Sequence, residues 1–104
     1  MDIDETDLGM QLKDKNLFRQ QCFIDGKWTN SISGETFDVY NPSDLSLVGR
    51  MPNCSKIETI KAIDAANKAW DEWRKISGKD RSLIIRHWHQ LILDNVDDLA
   101  LIMT

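Results

Sequence analysis

The sequence has few of the features that mark specialised classes of protein. Its 104 residues include two prolines, two cysteines and five glycines. The glycines stand apart from one another, so the chain has neither a P-loop nor a GxGxxG phosphate-binding loop. No apolar run approaches the roughly 20 residues that span a bilayer. Residues 55–104 balance eight acids with eight bases, which argues against the clustered positive charge of a nucleic-acid-binding surface.

The net charge of −4 is unevenly placed, because residues 1–16 carry five acids against Lys13 and Lys15. An acidic N-terminus is neither a secretory nor a mitochondrial targeting signal. We therefore interpret residues 1–15 as a flexible acidic arm and expect a cytoplasmic protein. Cys22 and Cys54 could form one bridge at most, and we expect both thiols to be reduced.

Short strands are predicted between residues 22 and 52. Asp25-Gly26 separates two β-prone segments and predicts a type I′ hairpin, because both turn residues need a positive φ. Residues 36–40 alternate as a strand does and end at Asn41-Pro42, and residues 45–51 are the next strand candidate. Residues 17–21 are typical of either a short helical turn or an extended segment, and the pattern does not separate the two.

Two long amphipathic helices, joined near Gly78, are predicted over residues 55–104. Ser55 with Glu58, and Ser77 with Asp80, match capping boxes at the two helix starts. An apolar stripe on the first helix, expected to face a core, consists of Ile57, Ile60, Ile63, Ala66, Trp70 and Trp73. The second helix is apolar over more than half its circumference and is expected to run about 37 Å to the last residue. That end has no helix-stopping residue, so we expect the chain to be part of a longer protein.

No catalytic, cofactor-binding or metal site is predicted. His87 and His89 point about 200° apart on a helix, whereas a helical metal pair needs i,i+4 spacing. Cys54 lies just before a helix start, where backbone amides lower a thiol pKa. It has no nearby histidine or oxyanion-hole motif, so a packed or incidental cysteine is the favoured interpretation. Cys22 is interpreted as a small apolar residue in a sheet.

The remaining candidates also favour structural roles. Asp97 and Asp98 are adjacent, so on a helix they diverge and are interpreted as solvated surface rather than as an acid–base pair. Trp70, Trp73 and Trp88 are a conceivable stacking platform for bases. They lack interleaved Arg and Lys, so packing in a core or interface is the favoured interpretation.

The ordered set of elements resembles the N-terminal region of the aldehyde dehydrogenase superfamily, most closely its succinate-semialdehyde branch. The resemblance covers residues 16–104. The segments that carry it are NLFRQQ (16–21), FIDGKW (23–28), SGETFDVYNP (33–42), LVGRMP (47–52), AIDAANKAWDEWRKIS (62–77) and DRSLIIRHWHQLILDNVDDLALIMT (80–104).

The resemblance implies an α/β fold in which residues 16–104 form an incomplete cofactor-binding domain: short strands and a hairpin, then two long amphipathic helices. It implies a parent enzyme that oxidises an aldehyde to a carboxylate with NAD or NADP. In the family a cysteine thiolate attacks the aldehyde and a glutamate activates water for hydrolysis, and both groups lie beyond the position matching Thr104. No catalytic residue is therefore carried over.

The segment Val39–Pro42 resembles one that lends backbone oxygen to a monovalent cation in some members, but the other ligands are missing and no metal site is predicted. The expected partners are the rest of the dehydrogenase chain and further copies of the parent, with no nucleic acid and no membrane. The chain alone is expected to be inactive and to bind no cofactor. The alternative hypothesis is a small helical interaction module that oligomerises through its apolar helix faces.

Overall fold

The computed structural model describes residues 7–104. Its helices are α1 (Asp7–Gln11), α2 (Lys56–Trp73), α3 (Gly78–Asp94) and α4 (Val96–Met103), with a 3-10 turn at Lys15–Leu17 after α1. Its strands are β1 (Cys22–Ile24), β2 (Lys27–Thr29), β3 (Thr36–Tyr40) and β4 (Leu47–Pro52). The predicted class, short strands followed by amphipathic helices, is confirmed.

The β1–β2 hairpin forms as predicted. The strands pair antiparallel, with Ile24 opposite Lys27, and the turn residues Asp25 and Gly26 have φ values of 53° and 74°. These positive values are those that a type I′ turn requires. The rings of Phe23 and Trp28, which face each other across the strands, have centroids 5.1 Å apart.

The second sheet joins β3 and β4 in antiparallel register, with an irregularity between Val39 and Tyr40. The fourth strand begins at Leu47 rather than at the predicted residue 45. The reason is that Leu45 adopts a φ of 61° in the connecting turn, where its N–H donates to the Asn41 carbonyl at 2.7 Å. A backbone in that conformation cannot continue a strand.

Part of the predicted acidic arm packs against the end of the chain. Leu12 is 4% exposed, and the backbone N–H groups of Lys13 and Asp14 donate to the Asp98 carboxylate at 2.9 and 2.8 Å. Phe18, 7% exposed, has an extended backbone directly after the 3-10 turn. Of residues 17–21, that turn includes Leu17 alone, so the rest of the segment is not the predicted helical turn. We call residues 7–21 the lead segment. Residues 1–6 lie outside the described residues, and the arm's boundary at residue 15 stays a prediction.

The prediction of one continuous helix to the end of the chain is wrong. Asn95 has φ −118° and ψ 22°, which interrupts the helix between α3 and α4. Its side-chain amide donates to the Leu91 carbonyl at 2.8 Å, and its own N–H bonds to Ile92 three residues back. Asparagine readily offers such local hydrogen bonds in competition with the helical ladder.

The two helix starts differ from one another. At α2 the predicted capping box is present, with Ser55 and Glu58 bonding reciprocally. At α3 the Ser77 side chain accepts from the Asp80 N–H at 3.1 Å. Within residues 7–104 no return bond from the Asp80 carboxylate to Ser77 completes the box. Of the predicted second capping box, only the bond from the Asp80 N–H to the Ser77 hydroxyl is present.

The apolar stripe of α2 does not face a core within this chain, contrary to prediction. Ile57, Ile60, Ile63 and Trp70 are all between 45% and 61% exposed. Leu12 and Phe18, both in the lead segment, are among the few apolar side chains of residues 7–104 that are buried. Burial is found where the lead segment meets β4 and α4, and at Ser31 and Glu58, where the loop between β2 and β3 meets the start of α2.

Candidate functional site

The two cysteines, 32 residues apart in sequence, lie side by side. Cys22 opens β1, and Cys54 directly precedes the Ser55 cap of α2. Their Sγ atoms are 3.5 Å apart, and both side chains are half-buried and unbridged. The hydrogen bond between the two thiols is the first cause that raises the pKa of Cys54, and loss of hydration adds to it. The sequence allowed at most one bridge between these cysteines, and nothing in their spacing indicated that the two thiols lie in contact.

Glu58 ties two parts of the chain together, a role that the sequence did not indicate. Its carboxylate accepts from the Ser55 hydroxyl at 2.7 Å and from the Ile32 N–H at 2.8 Å, besides the Ser55 N–H. These bonds, led by that of the Ser55 hydroxyl, lower the pKa of Glu58 from 4.5 to about 2. The residue therefore fixes the start of α2 against the loop between β2 and β3.

Asp97 and Asp98, the two acidic residues at the start of α4, lie in different surroundings. Asp97 is exposed and lies 3.4 Å from the Lys13 ammonium, as expected of solvated surface. Asp98 is 4% exposed, so its interpretation as solvated surface is wrong. The backbone N–H groups of Asp14 and Lys13 stabilise its anionic form and lower its pKa. Asp98 is thus a structural anchor for the lead segment.

The histidines do not converge on a site. His87 and His89 are both exposed on α3, and His89 borders an open groove with Trp73, Arg81 and Ile85. Across residues 7–104, no group of three or more His, Cys, Asp or Glu side chains has the arrangement of a metal site. The prediction that this chain holds no catalytic, cofactor-binding or metal residue stays a prediction.

The starts of the two long helices, α2 and α3, do not fit the pyrophosphate of a dinucleotide cofactor, which needs free backbone N–H groups at a helix N-terminus. At α2 the Ser55 hydroxyl accepts from the Ile57 N–H, and the Glu58 carboxylate adds negative charge that repels phosphate. At α3 the Ser77 hydroxyl occupies the Asp80 N–H, and the Asp80 carboxylate lies in the first turn. The N-termini of α2 and α3 are thus both capped by side chains of this chain.

Many large apolar side chains are exposed along α2 and α3, and we call this set of side chains the apolar helix face. Trp70 is 52% exposed and Trp88 is 64% exposed. Large apolar side chains exposed in such number on two helices are typical of a surface that another layer of protein covers. The large apolar side chains exposed along it are Ile57, Ile60, Ile63, Trp70, Leu83, Ile84, Ile85, Trp88, Leu91, Ile92 and Leu93.

In the part of the chain that the structure describes, no helix is both long enough and apolar enough to cross a bilayer. α4 is the most apolar helix but has eight residues.

Comparison with known proteins gives a consistent result. A family model described as the aldehyde dehydrogenase family matches residues 28–104. Glutarate-semialdehyde dehydrogenase of Pseudomonas putida is 45% identical over 91% of this chain and 20% of its own length. Succinate-semialdehyde dehydrogenase, NADP(+), of Escherichia coli K12 has the same identity and coverage.

Solved structures agree. An aldehyde dehydrogenase from Brucella melitensis biovar abortus 2308 superposes with a TM-score of 0.87 at 42% identity, over 90% of this chain and 20% of that one. Succinate-semialdehyde dehydrogenase from Burkholderia pseudomallei gives a TM-score of 0.85 at 41% identity, over 88% and 19%. The chain therefore spans about a fifth of the length of the curated relatives it matches.

Proposed function

This chain belongs to the aldehyde dehydrogenase family, and we propose that it is the N-terminal part of a longer succinate-semialdehyde-type dehydrogenase. The parent would oxidise an aldehyde to a carboxylate with NAD or NADP. Two semialdehyde dehydrogenases that are 45% identical over 91% of the chain support the reaction class. Their length supports a longer parent, because the chain matches 20% of each.

The apolar helix face is the structural observation that carries this proposal. Helices with Trp70 and Trp88 more than half exposed are stable in water only when another layer covers them. We propose that the rest of the dehydrogenase chain supplies that layer. Residues 16–104 would then be the first part of a cofactor-binding domain, with α2 and α3 on its outside.

The role proposed for this chain is scaffolding rather than chemistry. A catalytic cysteine needs a lowered pKa to be a thiolate, whereas the hydrogen bond to Cys22 raises the pKa of Cys54. Neither thiol is therefore assigned the nucleophile's role. The capped helix starts likewise leave the binding of NAD or NADP to other parts of the parent. A cytoplasmic, homo-oligomeric parent is part of the same proposal.

The test is to assay the 104-residue chain beside the protein translated from the whole coding sequence. Each is given succinate semialdehyde or glutarate semialdehyde with NAD⁺ or NADP⁺, and reduced cofactor is followed by absorbance. We expect aldehyde-dependent turnover from the longer protein, and neither turnover nor cofactor binding from the 104 residues. Robust turnover by the short chain would overturn its scaffolding role, and inactivity of the longer protein toward both semialdehydes would overturn the proposed semialdehyde dehydrogenase activity of the parent.

A second candidate function is a helical interaction module that covers the apolar helix face with another copy of itself. The same exposure of Trp70 and Trp88 favours it. Sedimentation equilibrium and thermal unfolding distinguish the two. A defined oligomer with a sharp unfolding transition supports the module, whereas an aggregating or partly molten chain supports a missing layer.

A further inference from the structure

Hydrogen bonds fix the backbone near both cysteines of the Cys22–Cys54 pair. Cys22 is held opposite Thr29 by the β1–β2 ladder. Cys54 precedes Ser55, whose hydroxyl and N–H both bond to the Glu58 carboxylate. Since Glu58 also holds the Ile32 N–H, the two cysteine backbones belong to one bonded unit. The 3.5 Å contact of their Sγ atoms therefore reflects the folded architecture.

The surroundings of the pair favour one reaction of thiols over others. The described residues place no cluster suited to a metal ion at these cysteines. What remains for two half-buried thiols in contact is reaction with each other. A disulfide requires the sulfurs to approach to about 2.0 Å, which is a short movement from their present contact.

We propose that Cys22 and Cys54 are a site of reversible disulfide formation, which locks the β1–β2 hairpin to the start of α2 under oxidising conditions. The oxidant is a low-molecular-weight disulfide of the glutathione class. One cysteine thiolate attacks it, forming a mixed disulfide and releasing one thiol. The second cysteine then attacks the mixed disulfide at the protein sulfur and displaces the second thiol. In total, two cysteine thiols are oxidised to one disulfide and one glutathione disulfide is reduced to two thiols.

The expected consequence is a covalent clamp on the part of the chain between the two cysteines. The closed loop contains both strand pairs and the loop whose Ile32 N–H binds Glu58. Closing it removes freedom from the unfolded chain, so oxidation should raise the resistance of this region to unfolding. In a reducing cytosol such a bond is transient and acts as a redox sensor.

The test equilibrates the protein translated from the whole coding sequence with mixtures of oxidised and reduced glutathione. Free thiols are trapped with an alkylating reagent, and the fraction of the Cys22–Cys54 disulfide is measured by peptide mass spectrometry. The equilibrium between the two free thiols and the intramolecular disulfide, at known glutathione concentrations, gives the effective concentration of one thiol toward the other. It is measured in native buffer and in concentrated urea. An unfolded loop of this length gives an effective concentration in the millimolar range, and we expect the native value to exceed the urea value by about tenfold or more.

Cys22→Ser and Cys54→Ser are the matched controls, and each should give mixed glutathione adducts without an intramolecular bond. Amide exchange of Ile32 supplies a second reading, since oxidation should slow it in the wild type and leave both variants unchanged. Equal effective concentrations in native buffer and urea would overturn the proposal, as would persistent mixed adducts in the wild type. The result is independent of dehydrogenase activity, so failure of the proposed function leaves this test intact.

Discussion

Replacing Gly49 by alanine is expected to loosen the contact between the lead segment and β4. Gly49 is buried, and an added Cβ would lie 2.8 Å from Gln20 Oε1, 3.0 Å from Phe18 Cζ and 3.2 Å from Phe18 Cε1. The first distance is shorter than a carbon tolerates, and the other two are tighter than most contacts of a Cβ, so Gln20 must move and Phe18 must give way slightly. Both neighbours belong to the lead segment, which is why this substitution probes its docking.

The cost follows from what each neighbour loses by moving. Gln20 Oε1 accepts the Arg50 N–H at 2.8 Å, and Phe18 is a buried apolar side chain, 7% exposed. Overpacking of this kind costs about 1–3 kcal/mol. Removing a strand glycine returns up to about 1 kcal/mol through the unfolded chain. We therefore expect a net destabilisation of about 1–2 kcal/mol.

Two measurements check this expectation. Urea unfolding followed by circular dichroism should give a lower midpoint for Gly49→Ala. Amide hydrogen exchange of Arg50, whose N–H bonds to Gln20, should become about 5- to 30-fold faster. Exchange at one amide reports on the docking even where global unfolding is not sharply cooperative.

The matched control is Gly78→Ala. No atom lies within 4 Å of a Cβ placed there, and the residue begins α3, so alanine should stabilise the chain by up to about 1 kcal/mol. Suppose Gly78→Ala behaves in this way while Gly49→Ala is as stable as wild type, with unchanged Arg50 exchange. The lead segment would then not be docked on β4 as described, and the reasoning would be refuted.

Three further predictions concern charge and the apolar helix face. Asp98→Asn should speed amide exchange at residues 13 and 14, whose N–H groups it accepts, while Asp97→Asn, which alters an exposed ion pair, should change it little. Because the pKa of Glu58 is depressed from 4.5 to about 2, its contribution to stability is fully present above pH 4.5 and is lost as the pH falls toward 2. Glu58→Gln should remove that part of the acid dependence, measured from α2 helicity by circular dichroism. Trp88→Glu should reduce self-association of the chain in light scattering, since Trp88 is 64% exposed. An unchanged scattering signal would show that the chain does not self-associate through the apolar helix face.

Local features were predictable because their causes lie within a few residues. The hairpin follows from Asp25-Gly26, whose positive φ values are confirmed. The α2 start follows from Ser55 and Glu58 three residues apart. The break at Asn95 could also have been predicted, because an asparagine inside an apolar helical pattern can compete for backbone hydrogen bonds. The long apolar run around it hid that signal.

Contacts between distant parts of the chain could not be predicted in the same way. The partners of Asp98 are residues 13 and 14, more than 80 positions away, and Cys22 meets Cys54 across 32 positions. Periodicity shows which face of a helix is apolar but not what covers it. For that reason the stripe of α2 was expected to face a core and is exposed within this chain.

Binding to a truncated relative tests the central claim most directly. The claim is that the rest of a dehydrogenase, and not a second copy, covers the apolar helix face. The succinate-semialdehyde dehydrogenase of Escherichia coli, shortened by the residues that match this chain, is mixed with it, and acrylamide quenching of tryptophan fluorescence is compared with that of Trp88→Phe. The account predicts a one-to-one complex in which quenching of Trp88 falls. The account would be contradicted if the chain did not bind the shortened enzyme and instead formed a defined oligomer that unfolds cooperatively.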